Sequence, residues 1–449
     1  MPVTHFWAPH AWLDPVVESD VLIAVGDDGV IASVTPDSGP APAGATVLTG
    51  LALPGMANAH SHAFHRALRG TVQVGSGTFW TWRDTMYRVA DALDPDSYLA
   101  LATAVYAEMA LAGITAVGEF HYLHHGPGGV PYQDPNAMGE ALIEAAARAG
   151  IRITLLDACY LSAGFGEVPN RHQQRFSDGH AERWAERAAA LKPRAHARVG
   201  AAIHSVRAVP ADQLGTVADW SAERAAPLHV HLSEQTAEND ACQAAYGLTP
   251  TRLLARHGVL GPRTSAVHAT HLTDEDIRLL SSSSTVICMC PTTERDLADG
   301  IGPARRLAAA GSRISLGSDS HAVIDPFEEA RALELNERLA SHRRGHWTAA
   351  SLLRAATEDG HASLGWPEAG RLAPGALADF CTVALDTPRT AGAVPRLGAE
   401  TAVFAATSAD VRDVVVGGSV VVRDGVHRTV PDVGAALTDA IAAVQGSHS

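Results

Sequence analysis

The run Leu53-Pro54-Gly55-Met56-Ala57-Asn58-Ala59-His60-Ser61-His62 decides how this chain folds. An apolar stretch of strand length ends in two imidazoles one residue apart. Side chains at i and i+2 of an extended chain share a face, so His60 and His62 can grip one ion just beyond the strand. In a chain with 23 histidines such a pair also arises by chance, and its weight depends on the pattern of the residues C-terminal to it.

That pattern is a repeat. Through residues 51–372, short β-branched runs alternate with longer Ala-, Leu-, Arg- and Glu-rich segments at helical spacing. Strands are predicted at 52–58, 114–120, 151–158, 197–204, 227–232, 264–268, 285–289 and 314–318, with helices at 95–112, 137–149, 182–190, 274–281 and 326–343. Eight such units predict an α/β fold whose parallel strands close into a (β/α)8 TIM-like barrel. Outside the repeat the pattern changes. Val21-Leu22-Ile23-Ala24-Val25, Gly26-Asp27-Asp28-Gly29 and Val30-Ile31-Ala32-Ser33-Val34 read as a hairpin, and Phe380-Cys381-Thr382-Val383 and Val414-Val415-Val416 continue the style. The two ends, 1–50 and 373–449, are expected to join one sheet domain.

Metal-capable residues sit just after the predicted strands, at the end of the barrel where active sites form. The fifth strand delivers His229-Val230-His231-Leu232-Ser233-Glu234, the sixth Val267-His268-Ala269-Thr270-His271, and the eighth Gly317-Ser318-Asp319-Ser320-His321. His60, His62, His231 and Asp319 form a candidate zinc ligand set with a position left open for water, whose pKa falls on binding. Glu234 can carry that water's proton to a leaving nitrogen, and His268 can orient the nucleophile or steady developing charge. Taken alone, Glu234 also reads as a helix-capping or solvated glutamate. His271 and His321 read as groups that orient ligands.

The 449 residues carry a formal charge of −15 with a pI near 5.8, a field that repels polyphosphate and anionic lipid. Nucleic-acid and membrane partners are not expected, and an acidic ligand needs local cations. No apolar run approaches the ~20 residues of a membrane span. Five scattered cysteines (Cys159, Cys242, Cys288, Cys290, Cys381) and the lack of a leader-like start suggest a reducing cytoplasm. Cys288-Met289-Cys290 reads as a pair of small buried hydrophobes rather than a soft metal site. His124 and His125, ahead of Gly126-Pro127-Gly128-Gly129, read as loop decoration.

With Leu53-Pro54-Gly55-Met56 ahead of His60-Ser61-His62 and with Gly317-Ser318-Asp319, the ordered set resembles the amidohydrolase superfamily. The resemblance implies a small β-sandwich built from both termini beside the barrel. In the mononuclear deaminase branch it implies that the glutamate of H-x-x-E, here Glu234, shuttles protons. Binuclear members bridge two metals through a carboxylated lysine or another carboxylate of strand four. This chain's one lysine, Lys192, precedes that strand, whose far end carries His204-Ser205-Val206-Arg207, so one zinc per subunit is expected.

A narrower likeness, to formiminoglutamate deiminases, rests on His60-Ser61-His62-Ala63-Phe64-His65-Arg66-Ala67, Phe79-Trp80-Thr81-Trp82-Arg83, Glu119-Phe120-His121-Tyr122, His204 to Arg207, and Cys290-Pro291-Thr292-Thr293-Glu294. It implies hydrolysis of N-formimino-L-glutamate to N-formyl-L-glutamate and ammonia in histidine degradation, a homodimer, and substrate contacts from Tyr122, His204, Arg207 and Arg83. A dicarboxylate entering an acidic protein needs fixed donors, and Arg207 offers a bidentate fork. Arg83 reads equally as a solvated surface arginine. His65 stands where many members of that family carry glutamine. It is expected to contact the substrate and to change charge with pH, which bears on the preferred chain length. The rival readings are a mononuclear deaminase of N-formimino-L-aspartate, guanine or a related heterocycle, and a non-catalytic scaffold, which would purify without stoichiometric zinc.

Overall fold

The hairpin at the start of the chain forms as its alternation predicts. In this computed structural model, which describes residues 3–72 and 79–446, Val16–Gly26 pairs antiparallel with Ile31–Thr35 across the Gly26-Asp27-Asp28-Gly29 turn. The side chains of Phe79, Trp80 and Thr81 lie outside the described residues. Gly29 has φ +73°, and a Cβ there would meet the Gly417 carbonyl oxygen at 2.8 Å, so both conformation and space require glycine.

One nine-stranded sheet contains both ends of the chain. Val3–Leu13, Val16–Gly26, Ile31–Thr35, Thr46–Val47 and Leu51–Pro54 come from one end; Phe380–Val383, Val411–Val416, Ser419–Arg423 and Val426–His427 come from the other. The halves meet where Leu51–Pro54 runs antiparallel to Phe380–Val383. Phe6 and Phe380 pack edge to face at 5.1 Å in a small core of their own with Val21, Ile23 and Val415.

The predicted strand 52–58 is two strands. Leu51–Pro54 belongs to the terminal sheet, and the barrel begins at Met56 rather than at residue 51. Gly55 is the pivot: its N–H bonds the Asp379 carbonyl, and a Cβ there would collide with the Thr115 side chain. An unbroken apolar run cannot show this break, because both halves are buried for different reasons. Residues 373–449 are also more than sheet. The helix Val433–Gln445 returns to pack on Pro95–Leu111, and Gly398–Phe404 packs on Ala349–Ala356.

Eight parallel strands follow in chain order: Met56–Ser61, Ile114–His121, Arg152–Cys159, Ala197–Ile203, Leu228–Leu232, Thr264–His268, Val286–Met289 and Ile314–Leu316. We number these barrel strands one to eight. The barrel closes where strand one meets the residues after strand eight. There Ser61 and Asp319 form a parallel bridge, and Asp319 N–H donates to the His60 carbonyl at 3.0 Å. Arg152 and Asp379 tie barrel to terminal sheet through two buried hydrogen bonds of 2.6 and 3.0 Å. Among the described residues no helix is long and apolar enough to cross a membrane.

Candidate metal centre and its cavity

Barrel closure brings the residues of strands one and eight together, and strand five supplies the third imidazole. One donor atom from each of His60, His62, His231 and Asp319 lies within 4.8 Å of all the others, and all four residues are buried. Asp319 Oδ1 is 3.4 Å from Nε2 of both His60 and His62, and Nε2 of His231 is 3.1 Å from Nε2 of His60. The far sides of two rings are spoken for: His62 Nδ1 bonds the Phe120 carbonyl at 2.9 Å and His231 Nδ1 the His204 carbonyl at 2.8 Å. Donating from Nδ1 leaves a lone pair on Nε2, aimed inward.

Lone pairs and a carboxylate oxygen facing one another repel, and a cation at their centre turns that repulsion into ligation. Protonation is a poor alternative. Burial, followed by the neighbouring imidazoles, holds the pKa of His62 and His231 well below the ordinary histidine value. Burial alone would raise Asp319, but His60 and the surrounding rings keep it well below the usual carboxylate range. Three neutral imidazoles and an ionised carboxylate are the protonation states a divalent ion takes, so the residues present fit one such ion.

The same region carries backbone strain. Ser233, His268 and Asp319 all adopt positive φ, at 50°, 67° and 42°. Non-glycine residues are uncommon there, and such outliers concentrate where a site over-determines the chain.

Glu234 and His268 stand beside the ligand set, not in it. Their side chains approach to 3.9 Å, and His268 Nε2 is 3.7 Å from Asp319 Oδ2. Burial raises Glu234 above its ordinary pKa. Burial disfavours charge on His268, yet Glu234, Glu294 and Asp319 together hold its pKa well above normal.

Above these groups opens a cavity whose empty space, including its open mouth, is about 680 Å³. His65, Arg83, Tyr122, His204 and Arg207 all line it with His62, His231, Glu234, His268 and Asp319, while His60 is fully buried behind the lining. Arg83 faces this cavity 5.8 Å from the Tyr87 ring rather than a solvated face. Glu238 holds Arg207 through Nε at 2.8 Å and accepts the Ser233 N–H with its other oxygen.

Burial pushes His65 down to about 3, which favours a neutral ring near pH 7 over the expected change of charge, and the ring bonds Tyr122 Oη at 2.9 Å. His124 and His125 are buried, not loop decoration. They bond the Ala158 carbonyl at 2.8 Å and Asp178 at 3.1 Å. His121, His124 and Asp157 form a second compact group, but the Asp157 oxygens already accept from Trp184 and twice from Arg187. The Arg187 guanidinium already neutralises that carboxylate.

His321 joins a directed chain behind the centre. Asn58 Nδ2 donates to Ser318 Oγ at 2.7 Å, Ser318 to His321 at 3.0 Å, His321 to Ser61 Oγ at 3.1 Å, and Ser61 to Glu119 at 2.7 Å. His271 meets its surroundings through backbone: its N–H bonds Ser233 and its carbonyl accepts from Asn239. Glu119, Glu238 and Glu294 had no sequence-based role. Their signal is three-dimensional, since each is a buried carboxylate that accepts a backbone N–H beside the site.

Comparison with known proteins agrees with this geometry. Formimidoylglutamate deiminase of Pseudomonas aeruginosa is 38% identical over 422 residues, covering 91% of this chain and 92% of that protein. The 8-oxoguanine deaminase of Pseudomonas aeruginosa is 32% identical over 377 residues, 83% of this chain and 82% of that one. The crystal structure of an amidohydrolase from Brucella melitensis superposes with a TM-score of 0.89 at 32% identity, covering 98% of this chain and all of the other. The model of the amidohydrolase family matches residues 51–421, from the strand before the pivot into Ser419–Arg423 of the terminal sheet, and the chain belongs to that family.

Proposed function

We propose that this amidohydrolase, a hydrolase of carbon–nitrogen bonds, converts N-formimino-L-glutamate and water to N-formyl-L-glutamate and ammonia with one zinc per subunit, a step of histidine degradation. His60, His62, His231 and Asp319 would hold the zinc. When bound, the metal polarises water and the formimino group and makes the water more acidic. Glu234 accepts the water's proton and passes it to the departing nitrogen. His268 donates toward the charge that develops on the reacting oxygen. Arg207, oriented by Glu238, pairs with a substrate carboxylate, and Arg83, Tyr122, His65 and His204 complete the lining.

The observation that carries this reading is that Arg207 and Glu234 open onto one cavity with His62, His231 and Asp319. A heterocycle such as guanine has no carboxylate to match that guanidinium. The 38% likeness to a formimidoylglutamate deiminase over nearly the whole of both chains supports the same substrate. A cytoplasmic homodimer taking a small acidic metabolite, with no nucleic-acid or membrane partner, completes the proposal; the net charge of −15 supports the last part.

Ammonia release measured side by side on N-formimino-L-glutamate, N-formimino-L-aspartate and guanine tests it. The expected preference for the glutamate compound over guanine is on the order of a hundredfold in kcat/KM, the worth of a charge-assisted carboxylate pair. Faster turnover of guanine would overturn the substrate assignment.

A further inference from the structure

The proposed zinc uses one side of Asp319. Oδ1 faces His60 and His62, while Oδ2 faces His268 at 3.7 Å. On that second side one donor atom each from His268, Cys290 and Asp319 lies within 4.8 Å of the other two, and the three residues are 1%, 0% and 5% exposed. Glu294 spans the group: its Oε1 is 3.4 Å from His268 Nδ1 and accepts the Cys290 N–H at 2.8 Å. Cys290 packs with Ala59, Val267 and Cys288 in an apolar cluster.

The electrostatics favour another cation. Glu294, Asp299 and Asp319 are buried carboxylates around His268, Glu234 is a half-buried one, and Asp299 Oδ2 has no hydrogen-bond partner among the described residues. Burial and then the Glu234 charge push Asp299 up to about 8. Buried negative charge without a partner is costly, and a bound cation would relieve it.

We propose that His268, Cys290 and Asp319 form a second site for a soft divalent cation, cadmium or surplus zinc, that shares Asp319 with the first metal and inhibits the enzyme. A mixed nitrogen, sulfur and oxygen set suits such ions, and a carboxylate can bridge two metals about 3.5–4 Å apart. Binding releases two protons to solvent, one from the Cys290 thiol and one from the His268 imidazolium, and takes up a His268 nitrogen, so the ring can no longer donate to the reaction. Inhibition results from loss of that group. The inference rests on the ligand set proposed above, and the test separates the two.

Protein holding one equivalent of zinc is titrated with cadmium while metal content, the ultraviolet cadmium–thiolate absorption and ammonia release are monitored. A second equivalent should bind with a thiolate band and lower turnover on the order of a hundredfold, the contribution of a lost electrostatic donor. In Cys290→Ala the band and the cadmium-induced drop should both disappear, whereas Cys288→Ser should keep them. Wild-type protein that takes cadmium with no thiolate band, or a band undiminished in Cys290→Ala, overturns the second site; the wild-type result decides even if the variant does not fold. Failure to hold the first zinc equivalent would instead refute the primary ligand set.

Discussion

Glu234 lies within 3.9 Å of His268 and outside the cluster of four donors, a placement that separates metal binding from proton transfer. Glu234→Gln should therefore retain its zinc while kcat falls by about 10²–10⁴, the range for a positioned acid–base group. Metal analysis beside turnover checks this; loss of the metal, or near-normal kcat, removes Glu234 from the role. His65 gives the opposite kind of prediction. With its pKa near 3 it is neutral on both sides of pH 7, so His65→Gln should shift KM while leaving the shape of the KM–pH profile unchanged between pH 6 and 9. A profile that flattens would show that His65 titrates in the working range. Residue types and spacing made legible in sequence the four donors that converge, and Glu234 and His268 beside them. The carboxylates that hold them, Glu238 on Arg207 and Glu294 on His268, were not, because no spacing rule marks a partner that arrives through tertiary contact.

Strand closure positions the donors. A Cβ on Gly317 would sit 2.7 Å from His60 Cβ and 2.9 Å from its backbone nitrogen, so Gly317→Ala must push strands one and eight apart. Overpacking of this kind costs about 1–3 kcal/mol. Zinc affinity measured against a competing chelator should fall by about 10- to 100-fold; unchanged affinity would mean that the closure is not what sets the ligands. A second joint is electrostatic. Arg187, on the helix Ala181–Ala188, bonds Asp157 of barrel strand three and Asp178, and although burial would raise both carboxyls, that guanidinium helps hold them below their ordinary values. Depressed folded pKa values give stability that is present above the unfolded value of about 3.9 and lost as pH falls through the folded ones. Arg187→Met should thus cost about 3–5 kcal/mol at pH 7, with the gap from the parent narrowing below about pH 4; thermal unfolding from pH 2.5 to 7 checks both. Alternation and helical spacing made the eight βα units readable. The break at Gly55 and the burial of His124 and His125 were not, since each depends on which neighbour lies across the interface.

Across the whole molecule, two sequence-distant ends build one sheet, and a barrel beside it gathers donors from strands one, five and eight onto one point. With a formal charge of −15, the anion recognition proposed here falls to Arg207 and Arg83, which line the cavity. The proposed chemistry depends on a single ion at that point. Zinc X-ray absorption on fully active protein, with zinc counted per chain, tests this most directly. The predicted result is one zinc per chain in a shell of nitrogen and oxygen with no sulfur, and activity proportional to that zinc. Full turnover without zinc, or a sulfur-containing shell at one equivalent, would contradict it.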